Sequence, residues 1–381
     1  MLFHFYDILC LITVFQFLFF AFFLLDFKKG RPISNKFLAL FLTSKAFCYL
    51  DDLFFRFYHY FYEHNPHLFF WGFSFEFLLG PSLLFFVLTL CYENYQLKKW
   101  HGINLLPFFL HISYVFFHYH RFSADVQRYL LSEQAILSRD GWSTNTIIIY
   151  LHFIFYTILC LIVIYRYRKE LKGYFSSIEN AKMTWLSLLI SGFTLIWVTS
   201  LTDYIVVQLG HSHFIKAYMP LIGIFIFSNL IVYKGLNQPS IFLGIPQKTL
   251  GPKYAKSPLT PEDKERYVHK LNHLMTDEKL YLDPSINIEI LSKKVSIPSR
   301  YISQVLNENL NQSFYDFINS HRIEESKKLL VDPAHQDKTV LEVLYDVGFN
   351  SKSVFNTSFK KYTGMTPSEY KRKKLMAIPA A

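Results

Sequence analysis

Long apolar stretches dominate the chain up to about residue 235, and an ordinary mixture of polar and apolar residues follows. An α-helix needs roughly 20 mostly apolar residues to cross about 30 Å of hydrocarbon. Seven stretches approach that length: 2–25, 36–57, 68–90, 102–117, 145–164, 184–207 and 214–233. The fourth is the weakest, because it is short and contains Pro107, His111 and Ser113. The pattern predicts a seven-helix transmembrane bundle over residues 1–235.

The basic residues of the short loops predict the orientation of this bundle, because Lys and Arg concentrate on the cytoplasmic side. The second and sixth loops, 59–67 and 209–213, carry neither residue, and the fourth mixes arginines with acids. The basic residues of the odd-numbered loops are Lys28, Lys29, Arg31, Lys36, Lys98, Lys99, Arg166, Arg168, Lys169, Lys172 and Lys182. We therefore expect a multi-pass protein of the bacterial cytoplasmic (inner) membrane, with its N-terminus outside and its C-terminal half in the cytoplasm.

Residues 236–284 are predicted to form a cytoplasmic linker. Repeated Pro and Gly between 238 and 261 prevent a continuous helix from leaving the membrane. A short helix then begins, with Thr260 as its cap and Pro261 at its first position, and it extends to about Thr276.

Residues 285–375 contain an internal duplication, and 376–381 form a tail. Each copy reads as an amphipathic helix, a tight turn, and a second helix with an apolar pair four residues apart. Ile302 and Leu306 form this pair in the first copy, and Phe355 and Phe359 in the second. Because the opposite face of each second helix is polar, the pattern predicts two helix-turn-helix subdomains. The fold class is therefore all-α: a transmembrane bundle and a soluble, all-helical DNA-binding domain.

The second copy resembles the signature of AraC-type transcription regulators. The residues that carry the resemblance are VGFNSKSVFN at 347–356, FKKYTGMTPSEY at 359–370 and the connecting RIEESKKLL at 322–330. They cover about the last quarter of the chain. The fusion to a seven-helix region is similar in architecture to membrane-bound AraC-type regulators, although no motif in the membrane half carries that likeness.

The resemblance implies two three-helix subdomains joined by a helix over 320–330, with recognition helices at 298–307 and 351–361 in adjacent major-groove segments. It implies base-facing positions at Ser299, Arg300, Ser303, Gln304, Ser351, Lys352, Ser353, Asn356 and Thr357, and phosphate contacts from Lys360 and Lys361. Arg and Lys suit guanine, and Gln and Asn suit adenine. The family's usual glycines are replaced by Ser296 and Asn311, and its usual small residue by Leu344.

The basic composition of the chain suits an anionic partner, such as nucleic acid or the inner lipid surface, but does not choose between them. The net charge is +10 and the mean hydropathy +0.19. The four cysteines lie in or at the ends of apolar stretches without metal-ligand spacing, so we expect no disulfide and no metal site formed by these cysteines. The sequence contains no enzyme motif, and no cofactor is expected. The predicted partners are double-stranded DNA, the lipid bilayer, RNA polymerase and an unknown signal ligand, with a homodimer left open.

Ionisable residues inside the apolar stretches are candidates for sensing that ligand. Intramembrane charges usually face the bundle interior or a water-filled cavity. One interpretation is a structural Asp52–Arg56 pair, with Glu76 and Asp203 satisfied by neighbours, and the other is a ligand pocket formed by these residues. The predicted outer side also carries several histidines. His118, His120, His211 and His213 either sense a metal or external acidity, or are polar tips of an interfacial aromatic belt.

Two rival functions remain open on the sequence. In one, the membrane region is a transporter or an enzyme, and the helix-turn-helix region is an accessory tail that binds DNA or protein. In the other, the tail recruits a protein instead of DNA. The absence of an internal repeat in the membrane half speaks against the first rival.

Overall fold

The computed structural model describes residues 4–26, 32–93, 95–132, 139–176, 182–210, 218–237, 245–246 and 259–376. The chain forms two compact units. The first comprises Met1–Tyr165 with Thr184–Gln247, and the second comprises Arg166–Met183 with Lys248–Ala381. The second unit therefore includes a stretch from the middle of the N-terminal half.

Helices dominate the first unit. They are α1 (Phe5–Asp26), α2 (Pro32–Arg56), α3 (Tyr58–His64), α4 (Trp71–Cys91), α5 (Leu106–Val115), α6 (Ala124–Ser132), α7 (Arg139–Leu171), α8 (Lys182–Gln208) and α9 (Tyr218–Asn237). Short 3₁₀ segments at Pro66–Leu68 and Lys99–Leu105 and a π-helical turn at Phe116–His120 connect them. A two-residue parallel pair, β1 (Tyr92–Glu93) with β2 (Ile245–Pro246), completes the described part of this unit.

The structure places a helix at each of the seven predicted spans, but it does not confirm seven spans. Four helical stretches are long and apolar enough to cross a membrane: Phe5–Asp26, Pro66–Cys91, Asn145–Leu171 and Ile190–Gln208. Helix α2 carries several charged residues, α5 has only 10 residues, and among the described residues α9 contributes a shorter apolar stretch, Pro220–Leu230. Four candidate spans are therefore shown, and the other three remain predictions.

Large apolar side chains cover the surface of the first unit. Phe15 and Phe22, both 72% exposed, lie on α1, and Leu151 and Tyr165 are exposed on α7. In the described part of the second unit, the exposed large apolar side chains are Leu341, Tyr345 and Met376. Because soluble proteins rarely expose extended apolar surface, the first unit has the surface expected of a membrane domain.

The second unit contains α10 (Pro261–Thr276), α11 (Ile288–Val295), α12 (Ser299–Glu308), α13 (Phe314–Val331), α14 (Val340–Asp346), α15 (Lys352–Thr363) and α16 (Pro367–Met376). Thr260 caps α10 as predicted, and its hydroxyl accepts from the Asp263 amide at 3.1 Å. Leu271 and Met275 of α10 are buried in the same core as α11 and α12. Helix α10, the short helix of the predicted linker, therefore packs on the helix-turn-helix domain.

Candidate nucleic-acid interface

The first helix-turn-helix consists of α11 and α12. The Asn287 side chain caps α11 by accepting from the amides of Glu289 and Ile290. The chain reverses at Ser296, which has a left-handed backbone with φ of 55°. The apolar pair of α12, Ile302 and Leu306, is fully buried in the core that α12 shares with α11, as the periodicity predicted. This packing fixes which face of α12 points outward.

The second helix-turn-helix consists of α14 and α15. Thr339 caps α14, and the Thr339 amide in turn donates to the Glu342 carboxylate at 2.7 Å. Phe355 and Phe359 of α15 are fully buried, and their rings contact each other edge to face. Leu344 is 1% exposed in the same core, so this larger side chain fills space inside the subdomain.

The turn between α14 and α15 requires glycine for two reasons. Gly348 has φ of +86°, which side-chain-bearing residues rarely adopt. A Cβ atom at this position would also lie 2.6 Å from the carbonyl oxygen of Leu282, in the 3₁₀ turn Leu280–Leu282 that precedes α11. The 3₁₀ turn therefore packs directly on the second subdomain.

The connecting helix α13 begins at Phe314, six residues before the predicted start at 320. Ser313 supplies the N-cap and accepts from the Asp316 amide at 3.1 Å. The helix continues to Val331, close to the predicted end, so one continuous helix carries residues of both subdomain cores.

Arg322 of α13 is fully buried and ties the two subdomains together. Its guanidinium donates to the carbonyl of Tyr281 at 2.6 Å and to that of Asp283 at 2.8 Å. It also lies 5.4 Å from the centre of the Phe349 ring. Burial lowers the pKa of Arg322 to about 10, so the group stays protonated at neutral pH. The buried charge is satisfied by carbonyl oxygens, which removes the penalty of an unpaired donor.

The predicted recognition face of α12 is only partly outward. Arg300 is exposed and stacks over the ring of Tyr301 at 4.4 Å, while Ser299 and Ser303 are half-buried. Gln304 departs from the prediction that it faces bases, because it is 3% exposed and donates to Glu308 at 3.0 Å. The second helix of a helix-turn-helix is amphipathic, but α10 also packs against α12 here. The periodicity of α12 alone did not reveal this contact.

The side chains of α15 that were predicted to face bases are exposed or half-buried. Lys352, Ser353 and Thr357 are exposed, and Ser351 and Asn356 are half-buried. Lys352 and Asn356 line a cavity of about 430 Å³. The other lining residues belong to α14, α16 and their caps: Thr339, Val340, Leu341, Leu344, Thr366, Pro367 and Ser368.

The two lysines expected at phosphates differ in their surroundings. Lys360 is exposed at the end of α15. Lys361 donates to the Asp316 carboxylate of α13 at 2.7 Å, and although burial acts to raise the pKa of Asp316, this bond and that from Ser313 hold it below its usual value. Lys361 is 59% exposed and remains accessible to a second anion.

The ionisable residues of the first unit form pairs that the sequence did not predict. Arg56 pairs with Asp7 of α1 rather than with Asp52, and its guanidinium also lies over the ring of Tyr6. Glu76 pairs with Lys45 at 2.9 Å, and both side chains are 14% exposed. Asp7 and Lys45 were missed, although each is a charge inside an apolar stretch. The expected Asp52–Arg56 pair is not formed.

The histidine cluster is described only in part. His118 stacks on Tyr114 and His120 on Trp71, with ring centres 4.2 and 4.1 Å apart. His211 and His213 lie outside the described residues, as does the side chain of Asp203. Within the described ranges, no three His, Cys, Asp or Glu side chains are grouped so as to hold a metal ion.

Comparison with known proteins supports the architecture of the second unit. Residues 291–373 match a family described as "Helix-turn-helix domain". Over 115 residues the chain is 32% identical to the "uncharacterized HTH-type transcriptional regulator in cgkA 5′ region" of Pseudoalteromonas carrageenovora, covering 29% of this chain and 66% of the relative. Over 102 residues it is 28% identical to an uncharacterized HTH-type transcriptional regulator of Staphylococcus aureus strain COL. This match covers 27% of this chain and 13% of the relative.

The chain thus spans less than two-thirds of the length of these relatives. It is also similar to the crystal structure of the C-terminal domain of the two-component response regulator yesN from Fusobacterium nucleatum. That likeness has 29% identity and a TM-score of 0.24, and covers 28% of this chain and 98% of the other. Residues 291–373 of this protein therefore form a helix-turn-helix domain, and the relatives that they resemble in sequence are named as HTH-type transcriptional regulators.

Proposed function

We propose that the protein is a membrane-anchored, sequence-specific DNA-binding transcription regulator that responds to an external or membrane-dissolved signal. One observation carries the proposal: α12 and α15 are each fixed by a buried apolar pair and present polar side chains outward, led by Arg300 and Lys352. A helix so presented can enter a major groove and contact base edges. The proposal includes RNA polymerase as a partner of the DNA-bound regulator.

Anchoring in the cytoplasmic membrane is supported by the four apolar candidate spans and by the apolar surface of the first unit. The loop charges support a cytoplasmic location for the C-terminal half. The fifth loop agrees with this orientation, because Arg166–Met183 belongs to the same compact unit as the helix-turn-helix domain. A loop predicted to be cytoplasmic and a domain predicted to be cytoplasmic thus share one unit.

DNA binding is tested by genome-wide occupancy of the full-length tagged protein, with an Arg300→Ala/Lys352→Ala variant beside it. Each base contact contributes about 1–3 kcal/mol of discrimination, so we expect discrete peaks that the double variant loses. The matched control is Lys270→Ala/Lys293→Ala, which removes two exposed lysines from α10 and α11. Equal occupancy of the two double variants, or no peaks with the unaltered protein, would contradict the proposal.

Orientation is tested with a membrane-impermeant maleimide on intact cells. The natural cysteines, Cys10, Cys48, Cys91 and Cys160, are all buried, so the background is low. Glu63→Cys, in the second loop, is expected to react from outside, whereas Lys293→Cys reacts only after the membrane is permeabilised. The opposite pattern would reverse the proposed topology.

Signal sensing is supported by the ion pairs within the apolar bundle, because intramembrane charges commonly mark functional sites. The Lys45–Glu76 pair is the more buried of the two pairs described above. We expect Glu76→Gln to change operator occupancy across growth conditions without abolishing membrane insertion. Occupancy identical to that of the unaltered protein under all conditions would assign the pair to packing alone.

A further inference from the structure

Residues 172–176, which we name the docking segment, follow directly after α7. Helix α7 ends at Leu171, and its earlier part, up to Tyr165, belongs to the first unit. The docking segment itself belongs to the second unit. It is therefore a piece of the helix-turn-helix unit that is contributed by the loop between two apolar helices.

Two carbonyl oxygens of the docking segment complete the N-termini of two helices. The Tyr174 carbonyl accepts from the amide of Ile288, the first residue of α11, at 3.0 Å. The Lys172 carbonyl accepts from the amide of Tyr315, the second residue of α13, at 3.0 Å. Amides in the first turn of a helix have no intrahelical acceptor, so they need such partners.

Ser176 anchors the end of the docking segment. Its side chain is 1% exposed, and its hydroxyl donates to the Ile286 carbonyl at 2.8 Å. Its own carbonyl accepts from the side-chain amide of Asn319 at 3.1 Å. Between these contacts, Phe175 forms an antiparallel bridge with Asn287. Because Ser176 and Asn319 are both buried, withdrawal of the segment would leave polar groups without partners.

Asn319 relays this contact toward the second subdomain. Its amide nitrogen binds the docking segment, while its side-chain oxygen accepts from Arg322 at 3.3 Å. Arg322 in turn holds the 3₁₀ turn before α11 and packs on Phe349. The segment is thus linked to α11 and α13 directly, and to the turn of the second helix-turn-helix through two side chains.

We propose that the docking segment is the coupling element between α7 and the DNA-binding domain, and that the docked form is the one that binds the operator. This inference rests on the proposed function. Two recognition helices that read adjacent groove segments must keep a fixed relative position, and the segment braces the elements that set it. A signal that shifts α7 and withdraws the segment then lowers operator affinity, because it favours the undocked form.

Docking is tested first without DNA, by disulfide formation in the full-length protein in its own membranes. In an antiparallel pair, residues at a non-hydrogen-bonded position have Cα atoms about 4.5 Å apart, which a disulfide can span. The Ile288-to-Tyr174 bond places Phe175 and Asn287 at such a position. A protease site inserted between 250 and 258 makes the disulfide visible, because cleaved fragments stay joined only when it has formed.

We expect joined fragments from Phe175→Cys/Asn287→Cys after mild oxidation. The control, Phe175→Cys/Lys293→Cys, places the second thiol on the exposed side of α11 and should give separate fragments. Separate fragments from both pairs, or equal joining in both, would overturn docking.

The coupling is tested with Asn319→Ala, which removes the bonds to Ser176 and Arg322. We expect operator affinity to fall by about tenfold or more, because the substitution leaves the buried Ser176 carbonyl and Arg322 guanidinium without this partner. The same substitution in the Phe175→Cys/Asn287→Cys protein should regain affinity when oxidised. Ser285→Ala, which removes an exposed hydroxyl two residues before Asn287, should leave operator affinity unchanged.

The outcomes separate this inference from the proposed function. Unchanged affinity in Asn319→Ala, or no recovery on oxidation although urea titration shows a folded domain, would overturn the coupling while DNA binding stands. Efficient joining of the fragments with no operator bound by any form, including the unaltered protein, would overturn the proposed function and the coupling with it.

Discussion

Replacement of Gly348 by alanine tests whether the 3₁₀ turn Leu280–Leu282 joins the two subdomains. Two penalties add in Gly348→Ala. A left-handed backbone costs a side-chain-bearing residue about 1–2 kcal/mol. The new Cβ also meets the Leu282 carbonyl oxygen at 2.6 Å and the Tyr281 oxygen at 2.9 Å, and overpacking of this kind typically costs about 1–3 kcal/mol. We expect the free energy of unfolding to fall by about 2–5 kcal/mol.

Gly364→Ala provides the matched control. Gly364 has φ of +79°, but its Cβ position has no atom within 4 Å, so only the backbone penalty applies. The difference between the two variants therefore measures the clash with the turn, about 1–3 kcal/mol. In both variants a glycine with positive φ is replaced by alanine, so the two substitutions differ only in whether the new Cβ meets other atoms.

The assay must report on the second unit alone. All five tryptophans precede residue 200, so their fluorescence does not follow it. Unfolding of the second unit is instead followed by pulse proteolysis of the full-length protein in urea, with the intact domain detected through a C-terminal tag. With a urea dependence of about 1–3 kcal/mol per molar, the clash separates the midpoints of the two variants by about 1 M. Coincident midpoints would refute the close packing of the turn on Gly348.

Three further predictions use the same assay. Ser296→Gly should stabilise the domain by about 1 kcal/mol, because Ser296 is exposed and left-handed; a loss of stability would show an unrecognised side-chain role. Arg322→Lys should destabilise by about 2–3 kcal/mol, since one ammonium cannot replace three bonds in fixed directions; a change below 1 kcal/mol would contradict this. The pKa of Asp316 is lowered in the folded protein, so its carboxylate stabilises the fold by a constant amount above its ordinary pKa of 3.8 and loses this effect as the pH falls below it. The free energies of unfolding of the unaltered protein and Asp316→Asn should therefore become equal only in acid.

Local rules in the sequence predicted most of the second unit. The cap and first proline defined the start of α10, and the apolar pairs of α12 and α15 identified their buried faces. Each of these features is set by residues within one or two helical turns. The start of α13 at Phe314 was missed because the connecting helix was taken from the resemblance, which implied residues 320–330, and the cap at Ser313 was not recognised.

Contacts between residues far apart in the sequence could not be predicted from these local patterns. The partner of Arg56 is Asp7, 49 residues away, and no periodicity links α1 to α2. The Ser176 hydroxyl and the Ile286 carbonyl are separated by 110 residues. Gln304 was predicted to face bases, but its side chain is 3% exposed and donates to Glu308. These contacts depend on how helices meet in space, which the local pattern does not determine.

The docking segment has a consequence for how such a protein can evolve. The helix-turn-helix domain resembles a module that recombination could exchange at the linker. A recombination event there would deliver α10 to α16 but leave behind the carbonyls that complete α11 and α13. The recipient would then inherit a domain in which the amides of Ile288 and Tyr315 and the side-chain amide nitrogen of Asn319 lack these acceptors. The loop after α7 and the C-terminal domain are therefore expected to be inherited together, and a substitution in one should favour compensating substitutions in the other.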